Sequence, residues 1–384
     1  MNKKAIILAS ALVAACGCMK IQEDNTRPEI FFNAVAHKSA ATKAAEKDGP
    51  VEGAFYGYDC PEFTVFLSYL STGTWPADIS SAQAYAKARC NSDPDLEIWY
   101  SDPATYWPVS GTLTFVGFSP ASVASEYDTK TGVLTCSDYS ISAQKDIMYS
   151  CAADAANLSS ATDNYKPAEG VDKQDTPGVP IIFRHALSQV SVTVDAASSL
   201  TPDVMFKLTS LRLTEDATKS LAVNQGQTVA ATAVSWRDEG DTKYDHTLVS
   251  SATTIKKNGT KFISDSNSEI AGNQGFLIFP QDASKPKLYI SYEQYQNSGL
   301  TESQYNALAD KSGLIAEDNV VWAKAGSVTD KAIDLTASNL TRFVAGKKYI
   351  LNLTLSAETI RYSPSVYDWT EPAVETDLSI PPTN

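Results

Sequence analysis

The sequence is dominated by runs in which apolar and polar residues alternate, and this period of two constrains the fold more than any other feature. LSQVSVTVD at 187–195 places a valine at every second position from 190, and KYILNLTLSAE at 348–358 alternates in the same way. Such half-polar strands are typical of antiparallel sheets that cover a core with one face. The sequence therefore predicts an all-β fold. Further runs of this kind occur at 62–69, 96–100, 111–118, 204–213, 275–280 and 287–294.

Helical patterns are few, and no strand–helix–strand rhythm appears, which argues against a parallel α/β sheet. Two segments predict short helices, SSAQAYAKARC at 80–90 and TESQYNALAD at 301–310. In the second, Thr301 suits the N-cap and Gln304 stands at the third helical position, as in a capping box. The composition, with 18 Tyr and 13 Phe but only 4 Met, also favours strands.

The length and one linker-like segment predict two domains. The chain has 384 residues, whereas one domain usually takes about 100–200. The segment 165–180 is rich in Pro, Gly and charge, and it separates two strand-rich halves of similar size. We predict antiparallel β-sandwich domains at 28–178 and 179–384, with one large sandwich as the alternative. The net charge of −14 argues against nucleic-acid binding, which needs a basic surface.

The N-terminus predicts an exported protein. Two lysines precede an apolar run that is shorter than the roughly 20 residues of a membrane-spanning helix, so 1–15 is predicted to be a signal peptide. VAAC at 13–16 resembles a bacterial lipobox, in which the cysteine is acylated, for instance with palmitate, and begins the mature chain. Cys16 is therefore the predicted lipidation site and 16–27 the lipidated tether. Secretion without lipidation is the alternative.

The sequence leaves open the redox state of the four cysteines that follow the lipidated tether. In an exported protein they could form two disulfides, with three pairings open, or stay as buried free thiols. No CxxC pair and no histidine at a suitable spacing accompanies them, so a zinc site is not expected. These cysteines are Cys60, Cys90, Cys136 and Cys151.

No catalytic pattern stands out. His37, His185 and His246 lie far apart in the sequence, and the apolar context of His185 favours a hydrogen-bonded structural residue. The sequence has no G-x-S-x-G elbow, phosphate-binding P-loop or GxGxxG motif. We therefore predict no enzymatic activity and no cofactor.

One acidic cluster raises the possibility of a calcium site. Asp93, Asp95 and Glu97 stand close together, but the spacing lacks the glycine and the final glutamate of an EF-hand loop. A solvated turn is the preferred interpretation, and no metal site is predicted.

Three tryptophans raise an alternative function. Trp75, Trp99 and Trp107 could bind sugars if they formed an exposed aromatic platform. Most aromatic residues of an all-β protein belong to its core instead. A surface glycan-binding lipoprotein that does not polymerise is therefore kept as the alternative to the function predicted below.

A short apolar strand near the N-terminus is followed by a soft tether. The strand is predicted at 29–36, and Ile30, Phe32, Ala34 and Ala36 fall on one face. Each larger apolar side chain contributes roughly 1.5–3 kcal/mol when buried, so Ile30 and Phe32 should dominate retention of the strand. If the strand left, the unpaired edge would be a template for another chain.

The tether at 38–49 offers cleavage sites, because it contains three lysines among small residues. Lys43 stands in the most open context, and it is the predicted processing site. A permanent first strand with a flexible linker is the alternative.

Near the C-terminus, 373–380 predicts a short strand that could be donated to a neighbour or could close its own sheet. Its alternating apolar residues are Val374, Leu378 and Ile380.

Several segments in this order resemble the fimbrillin family, the type V pilins and pilus accessory lipoproteins of Bacteroides-type bacteria. The resemblance rests on order and spacing more than on any single motif, and it covers nearly the whole chain. The segments are Cys16 in its lipobox, 30–46, 179–194, 275–281 followed by 287–294, and 343–369.

The resemblance implies two tandem transthyretin-like β-sandwich domains in an exported lipoprotein. It also implies that a trypsin-like protease cuts after the first strand, and that a strand from another subunit then fills the open groove. A lysine at 43, in place of the arginine commonest in the family, departs from that pattern.

The expected function is that of a structural subunit, or an accessory or tip component, of a type V pilus that supports cell adhesion. The expected partners are other pilin subunits, a trypsin-like processing protease, the outer membrane through the lipid anchor, and a host protein or glycan ligand. The expected location is the cell surface, in the outer membrane or the fimbrium.

Overall fold

The computed structural model describes residues 27–36, 62–93, 98–160, 178–249, 251–264, 275–357 and 359–368. Within these ranges the chain is almost entirely β, with 22 strands and one short α-helix. The predicted all-β class is therefore confirmed.

The strands are β1 (Phe31–Ala36), β2 (Glu62–Leu70), β3 (Gln83–Asp93), β4 (Ile98–Asp102), β5 (Thr112–Ser119), β6 (Glu126–Asp128), β7 (Val133–Ser140), β8 (Met148–Ser150), β9 (Val179–His185), β10 (Ser188–Ala196) and β11 (Val204–Asp216). They continue with β12 (Thr218–Asn224), β13 (Ala233–Asp238), β14 (Lys243–Thr247), β15 (Thr253–Lys256), β16 (Phe262–Ile263), β17 (Phe276–Ile278), β18 (Lys287–Asn297), β19 (Leu314–Glu317), β20 (Val320–Ile333), β21 (Lys347–Leu355) and β22 (Ile360–Asp368). The helix is α1 (Glu302–Ala307).

The first sheet closes on itself in the order β1-β4-β3-β2-β5-β8-β9, because β9 pairs with β1. The alternation in β2 places Phe63, Val65 and Leu67 inside this barrel, where they are buried. The other strands contribute inward residues in the same way. The interior is formed by Ile30, Phe32, Ala34, Phe63, Val65, Leu67, Ala88, Cys90, Trp99, Trp107, Leu113, Phe115, Met148, Ala155, Leu158, Val179, Ile181 and Phe183.

The second half of the chain forms a sandwich of two sheets. One sheet has the order β16-β10-β21-β22, with β17 also paired to β10, and the other has the order β14-β11-β18-β20-β19, with β15 paired to β11. The valines of β10 and the leucines of β21 face the apolar residues of β11 and β18 in one buried cluster. The alternation predicted at 348–358 is confirmed in β21. At 187–195 the valines of β10 face the core as predicted, but the polar residues Ser188, Gln189 and Ser191 are buried as well, so exposure alternates only from Val192 onwards.

A third sheet joins the two halves. It has the order β13-β12-β7-β6, so it takes two strands from each side of the predicted linker. Its apolar face shares a core with Phe66 and Phe118 of the barrel and with Phe279 after β17. In addition, β9 lies beyond the predicted boundary at 178/179 but pairs with β1 and β8 of the barrel. The division into domains at 28–178 and 179–384 stays a prediction.

The two helix predictions had different outcomes. The helix at 301–310 is confirmed as α1, with Thr301 at the N-cap and Gln304 completing a capping box. The helix at 80–90 is wrong, because Gln83–Asp93 forms β3 between β2 and β4. Alanine has a high helix propensity, but intrinsic propensities are small. The hydrogen bonds that β3 forms with β2 on one side and β4 on the other outweigh this preference.

The described cysteines are buried free thiols rather than disulfides: Cys90, Cys136 and Cys151. Burial raises the pKa of each thiol, in the case of Cys136 to about 11. These thiols are therefore protonated at neutral pH and poorly reactive. Cys60 lies outside the described residues. Among the described elements, no helix has the length and apolar character needed to cross a membrane.

Candidate functional site: the groove of the first strand

The first strand has a neighbour on each side. On one side β1 runs antiparallel to β4, with Phe32 opposite Trp99. On the other side it runs parallel to β9, with a register that extends from Phe32 opposite Val179 to Ala36 opposite Phe183. It is thus not an edge strand but the strand that closes the barrel. We call the space that it fills, between β4 and β9, the β1 groove.

Backbone contacts begin before β1 itself. The Ile30 N–H donates to the Thr105 carbonyl at 2.8 Å, and the Trp107 N–H donates to the Pro28 carbonyl at 3.0 Å. Glu29 forms an isolated antiparallel bridge with Tyr106. The segment from Pro28 onwards is therefore bound by main-chain hydrogen bonds as well as by its side chains.

The inward side chains of β1 fill the centre of the barrel. Ile30, Phe32 and Ala34 are buried there, as their predicted common face requires. The Phe32 ring makes edge-to-face contacts with Phe115, at 5.8 Å between ring centroids, and with Phe63, at 6.4 Å. For Ala36 the structure gives only its backbone pairing. The role of these residues as a removable strand stays a prediction.

The opposite face of β1 is also covered. Phe31 is only 4% exposed, although the alternation assigns it to the other side from Phe32. The alternation of the sequence does not predict this burial. The two consecutive phenylalanines at 31 and 32 indicate that both faces of the strand are buried. A strand with one face in solvent would have a polar residue at one of these two positions.

Gly178 lies directly beside the β1 backbone. Its φ is +65°, and a Cβ atom there would lie 2.9 Å from the Phe32 carbonyl carbon and 3.1 Å from the Asn33 nitrogen. Only glycine adopts this conformation without strain while leaving room for the neighbouring strand. The turn into β9 is therefore fitted to an occupied β1 groove.

The walls of the β1 groove are aromatic. The Phe63 ring lies 5.0 Å from the Trp99 ring and 5.2 Å from the Phe183 ring, measured between centroids. The Trp107 ring packs on Phe115 at 5.9 Å. A strand that enters this groove can therefore gain both main-chain hydrogen bonds and burial of alternate side chains.

The three tryptophans are buried, as expected for most aromatic residues of an all-β protein, so they do not form the sugar-binding platform considered as the alternative. Trp99 and Trp107 belong to the barrel interior, and Trp75 belongs to the core shared by the two halves. Their indole faces pack on other side chains, so they cannot stack on a sugar.

His185 and His246 make structural hydrogen bonds, as predicted for His185, whereas His37 lies outside the described residues. His185 Nδ1 lies 2.7 Å from Asp146 Oδ2, and His246 Nε2 lies 2.8 Å from Glu215 Oε1. Glu215 also accepts hydrogen bonds from the Phe279 N–H and from the Gln281 side chain. Burial raises the pKa of Glu215, although its hydrogen bonds, first that from His246, oppose the rise. In the part of the chain that the structure describes, no three His, Cys, Asp or Glu side chains are placed to hold a metal ion.

Several predicted site residues lie outside the described residues. The same holds for the tether at 38–49, the segment 373–380 and two of the three residues of the acidic cluster, Asp95 and Glu97. The site residues concerned are Cys16, Lys43, Val374, Leu378 and Ile380.

The barrel, completed by its first strand and joined to a second sandwich, defines an all-β protein. A fimbrillin-like family model matches residues 70–369. The chain belongs to this fimbrillin-like family, and the predicted resemblance is confirmed. None of the curated proteins matches the sequence.

Solved structures agree in fold. A fimbrial protein from Bacteroides vulgatus is 12% identical, with a TM-score of 0.57, and the alignment covers 89% of this chain and 100% of that one. A putative cell adhesion protein from Bacteroides uniformis is 14% identical over 91% of this chain and 100% of that one, with a TM-score of 0.45. At these identities the first likeness supports the fold alone. Membership of the fimbrillin-like family supports a pilus or adhesion subunit at the cell surface.

Proposed function

We propose that this protein is a subunit, or an accessory or tip component, of a type V pilus, and that it assembles by exchange of its first strand. The observation that carries the proposal is the position of β1, which is hydrogen-bonded on both sides and fills the barrel interior. A strand in that position cannot leave without opening a groove with two unpaired edges.

The physical chemistry of an open β1 groove favours a replacement strand. Loss of β1 would expose Phe63, Trp99 and Phe183 to water, at a cost of about 25 cal/mol for each Å² of apolar surface. It would also leave the facing backbone groups of β4 and β9 unpaired. A strand from a second copy would restore both kinds of interaction.

The finer steps of this proposal rest on the sequence. The chain is exported and lipidated at Cys16, a trypsin-like protease cuts at Lys43, and the segment 373–380 of a neighbour enters the β1 groove. Other pilin subunits and the processing protease are the proposed partners, and the outer membrane holds the lipid anchor.

A cleavage experiment tests the proposal. Purified protein is cut with a trypsin-like protease, and mass spectrometry identifies the released N-terminal fragment. We expect a fragment that ends at Lys43 and multimers that resist SDS, because inserted strands dissociate slowly. A variant in which glutamine replaces Lys38, Lys43 and Lys47, the three lysines of the tether, should keep β1 and stay unassembled under the same treatment. If the cut chain loses β1 and still remains monomeric when concentrated, assembly by strand exchange is refuted.

A further inference from the structure

The C-terminal sandwich has a long strand at the rim of one sheet. β22 pairs along its whole length with β21, and no described strand pairs with its other side. Such an edge is a template for addition of a strand from another copy. Val366 on this strand is 50% exposed, which adds apolar surface to the rim.

Two features interrupt the outer side of β22. The Ser338 hydroxyl, from the segment between β20 and β21, donates to the Tyr362 carbonyl at 2.7 Å. This bond indicates that the backbone of Tyr362 faces outward. Because backbone groups in a strand alternate between its two sides, the residue two positions on, Pro364, faces outward as well.

Pro364 removes a donor from the same side. Proline has no N–H, and within sheets it is tolerated mainly on edge strands with the missing donor directed away from the ladder. The pairing of Leu351 with Pro364 continues on both sides without a register shift, as this orientation requires. An incoming strand would therefore meet an occupied acceptor at Tyr362 and no donor at Pro364.

The facing sheet shows the same protection by a different means. After Ala323, β18 is the one described strand that pairs with β20. The register between β18 and β20 shifts twice, and at each shift β20 contains one extra residue. Asp330, at the first of these bulges, has a φ of +45°, and its N–H donates to the Ser291 hydroxyl at 2.9 Å. Bulges of this kind twist an edge away from a regular partner.

We propose that Pro364 and Ser338 block the rim of β22 against strand addition by a second copy of this chain. The value of such a block rests on the proposed function, because strand exchange requires that copies join at the β1 groove and not at other edges. The block itself is a property of the intact chain.

The test therefore uses uncut protein without protease. In Pro364→Val the outward N–H is restored, and in Ser338→Ala the Tyr362 carbonyl is released. Ser363→Val is the matched control, because it adds the same apolar side chain to β22 without changing the outward backbone groups. Self-association is measured by light scattering after size exclusion, and amide exchange is followed in residues 360–366.

We expect Pro364→Val to bind a second copy about tenfold more tightly than the wild type, since one hydrogen bond corresponds to about that factor. Ser338→Ala should shift association in the same direction, and the control should not. Slower amide exchange at 360–366 in the associated form would locate the contact.

Three results would overturn the proposal. They are equal association of Pro364→Val, Ser338→Ala and the wild type, equal association of Pro364→Val and Ser363→Val, and association without protection of 360–366. If circular dichroism shows that Pro364→Val does not fold, Ser338→Ala alone decides the question. A failure of the cut wild-type chain to polymerise would count against strand exchange, but it would leave this result unchanged.

Discussion

At the scale of single residues, Phe32 should contribute most to retention of the first strand. Its side chain is fully buried and contacts two other rings in the barrel. We expect Phe32→Ala to lower the free energy of unfolding by about 3–5 kcal/mol, because it leaves a cavity at the barrel centre. Chemical denaturation measures this loss, and protease treatment measures release of β1.

Phe206→Ala provides the matched control, since Phe206 is equally buried but lies in the core of the C-terminal sandwich. It should lower global stability by a similar amount without accelerating release of β1. Equal release from the two variants would mean that Phe32 has no specific role in holding the strand.

Gly178 makes a second residue-scale prediction. Replacement by alanine forces a left-handed conformation on a side chain that also meets the β1 backbone. We expect a loss of about 1–3 kcal/mol from the conformation, with a further loss from the clash. Gly299→Ala is the control, because Gly299 has a φ of +72°, close to that of Gly178, but no atom within 4 Å of its added Cβ. Thermal unfolding should show a larger decrease for Gly178→Ala, and an equal decrease would exclude the clash.

The sequence could predict the inward face of the first strand but not its surroundings. Alternation identified Ile30, Phe32 and Ala34, because inward residues of a strand repeat every two positions. The same period says nothing of what covers the other face, so the burial of Phe31 was missed. Side-chain type alone also could not separate a core tryptophan from an exposed one, so the sequence left a sugar platform open as an alternative until the burial of Trp75, Trp99 and Trp107 was known.

At the scale of elements, the hairpin of β12 and β13 depends on a buried amine. Lys219 Nζ lies 2.9 Å from Asp216 Oδ2 and 2.5 Å from Asp238 Oδ1. Burial lowers the pKa of Lys219, but hydrogen bonds to Asp238 and Asp216 outweigh it, so the net shift is upward. The stabilisation from this raised pKa is present below the ordinary value of 10.5 and is lost as the pH rises through the folded value.

We therefore expect Lys219→Met to reduce the alkaline loss of stability above about pH 10.5. Buried tyrosines also make the protein less stable at alkaline pH; burial raises the pKa of Tyr127, for example, to about 12. Because the two pH ranges overlap, the variant must be compared with the wild type. Lys285→Met is the control, because its amine is half exposed and 3.4 Å from Asp238. An unchanged alkaline slope in Lys219→Met would contradict the prediction.

The pairing of elements was less accessible from the sequence than the elements themselves. The predicted strands correspond to nine of the 22 described ones, namely β1, β2, β4, β5, β10, β11, β17, β18 and β21. β3 was predicted as a helix, because its alanines and lysine do not reveal the hydrogen bonds that it forms with β2 and β4 on its two sides. Nothing in the order of the strands indicated that β9 closes the barrel beside β1, since that contact joins segments more than 140 residues apart.

At the scale of the whole molecule, Gln144 connects the two halves. Its side chain accepts a hydrogen bond from the Leu277 N–H at 2.8 Å and donates to the Leu277 carbonyl at 3.0 Å. It does so with a φ of +48°, which is costly for a residue with a Cβ. These two hydrogen bonds join the segment between β7 and β8 to β17.

We expect Gln144→Gly to destabilise the protein by about 1–3 kcal/mol, because relief of strain does not compensate for unpaired groups at Leu277. Asp138→Gly is the control, since Asp138 also has a positive φ, of 53°, but an exposed side chain. That variant should keep or gain stability. Calorimetry compares the two, and a gain in both variants would show that the Gln144 contacts contribute nothing.

The two halves share contacts that the linker composition at 165–180 does not indicate. The composition of a linker indicates where the chain passes from one half to the other. It does not indicate which later strands pair with strands of the first half. Here β12 and β13 return to pair beside β7, and Trp236 donates from β13 to the Ala186 carbonyl at 2.9 Å. Contacts of this kind depend on shape and register, which composition does not encode.

The parallel alignment of β1 with β9 has a mechanical consequence. A strand that replaced β1 in the same direction and was pulled along its axis would load the hydrogen bonds to β9 in shear, so that they share the force instead of opening in turn. β9 continues into β10 through Ala186 and Leu187, both fully buried, and β10 is itself parallel to β21. Tension would thus pass along one line of strands through both halves, and a filament of such subunits should withstand pulling far better than peeling.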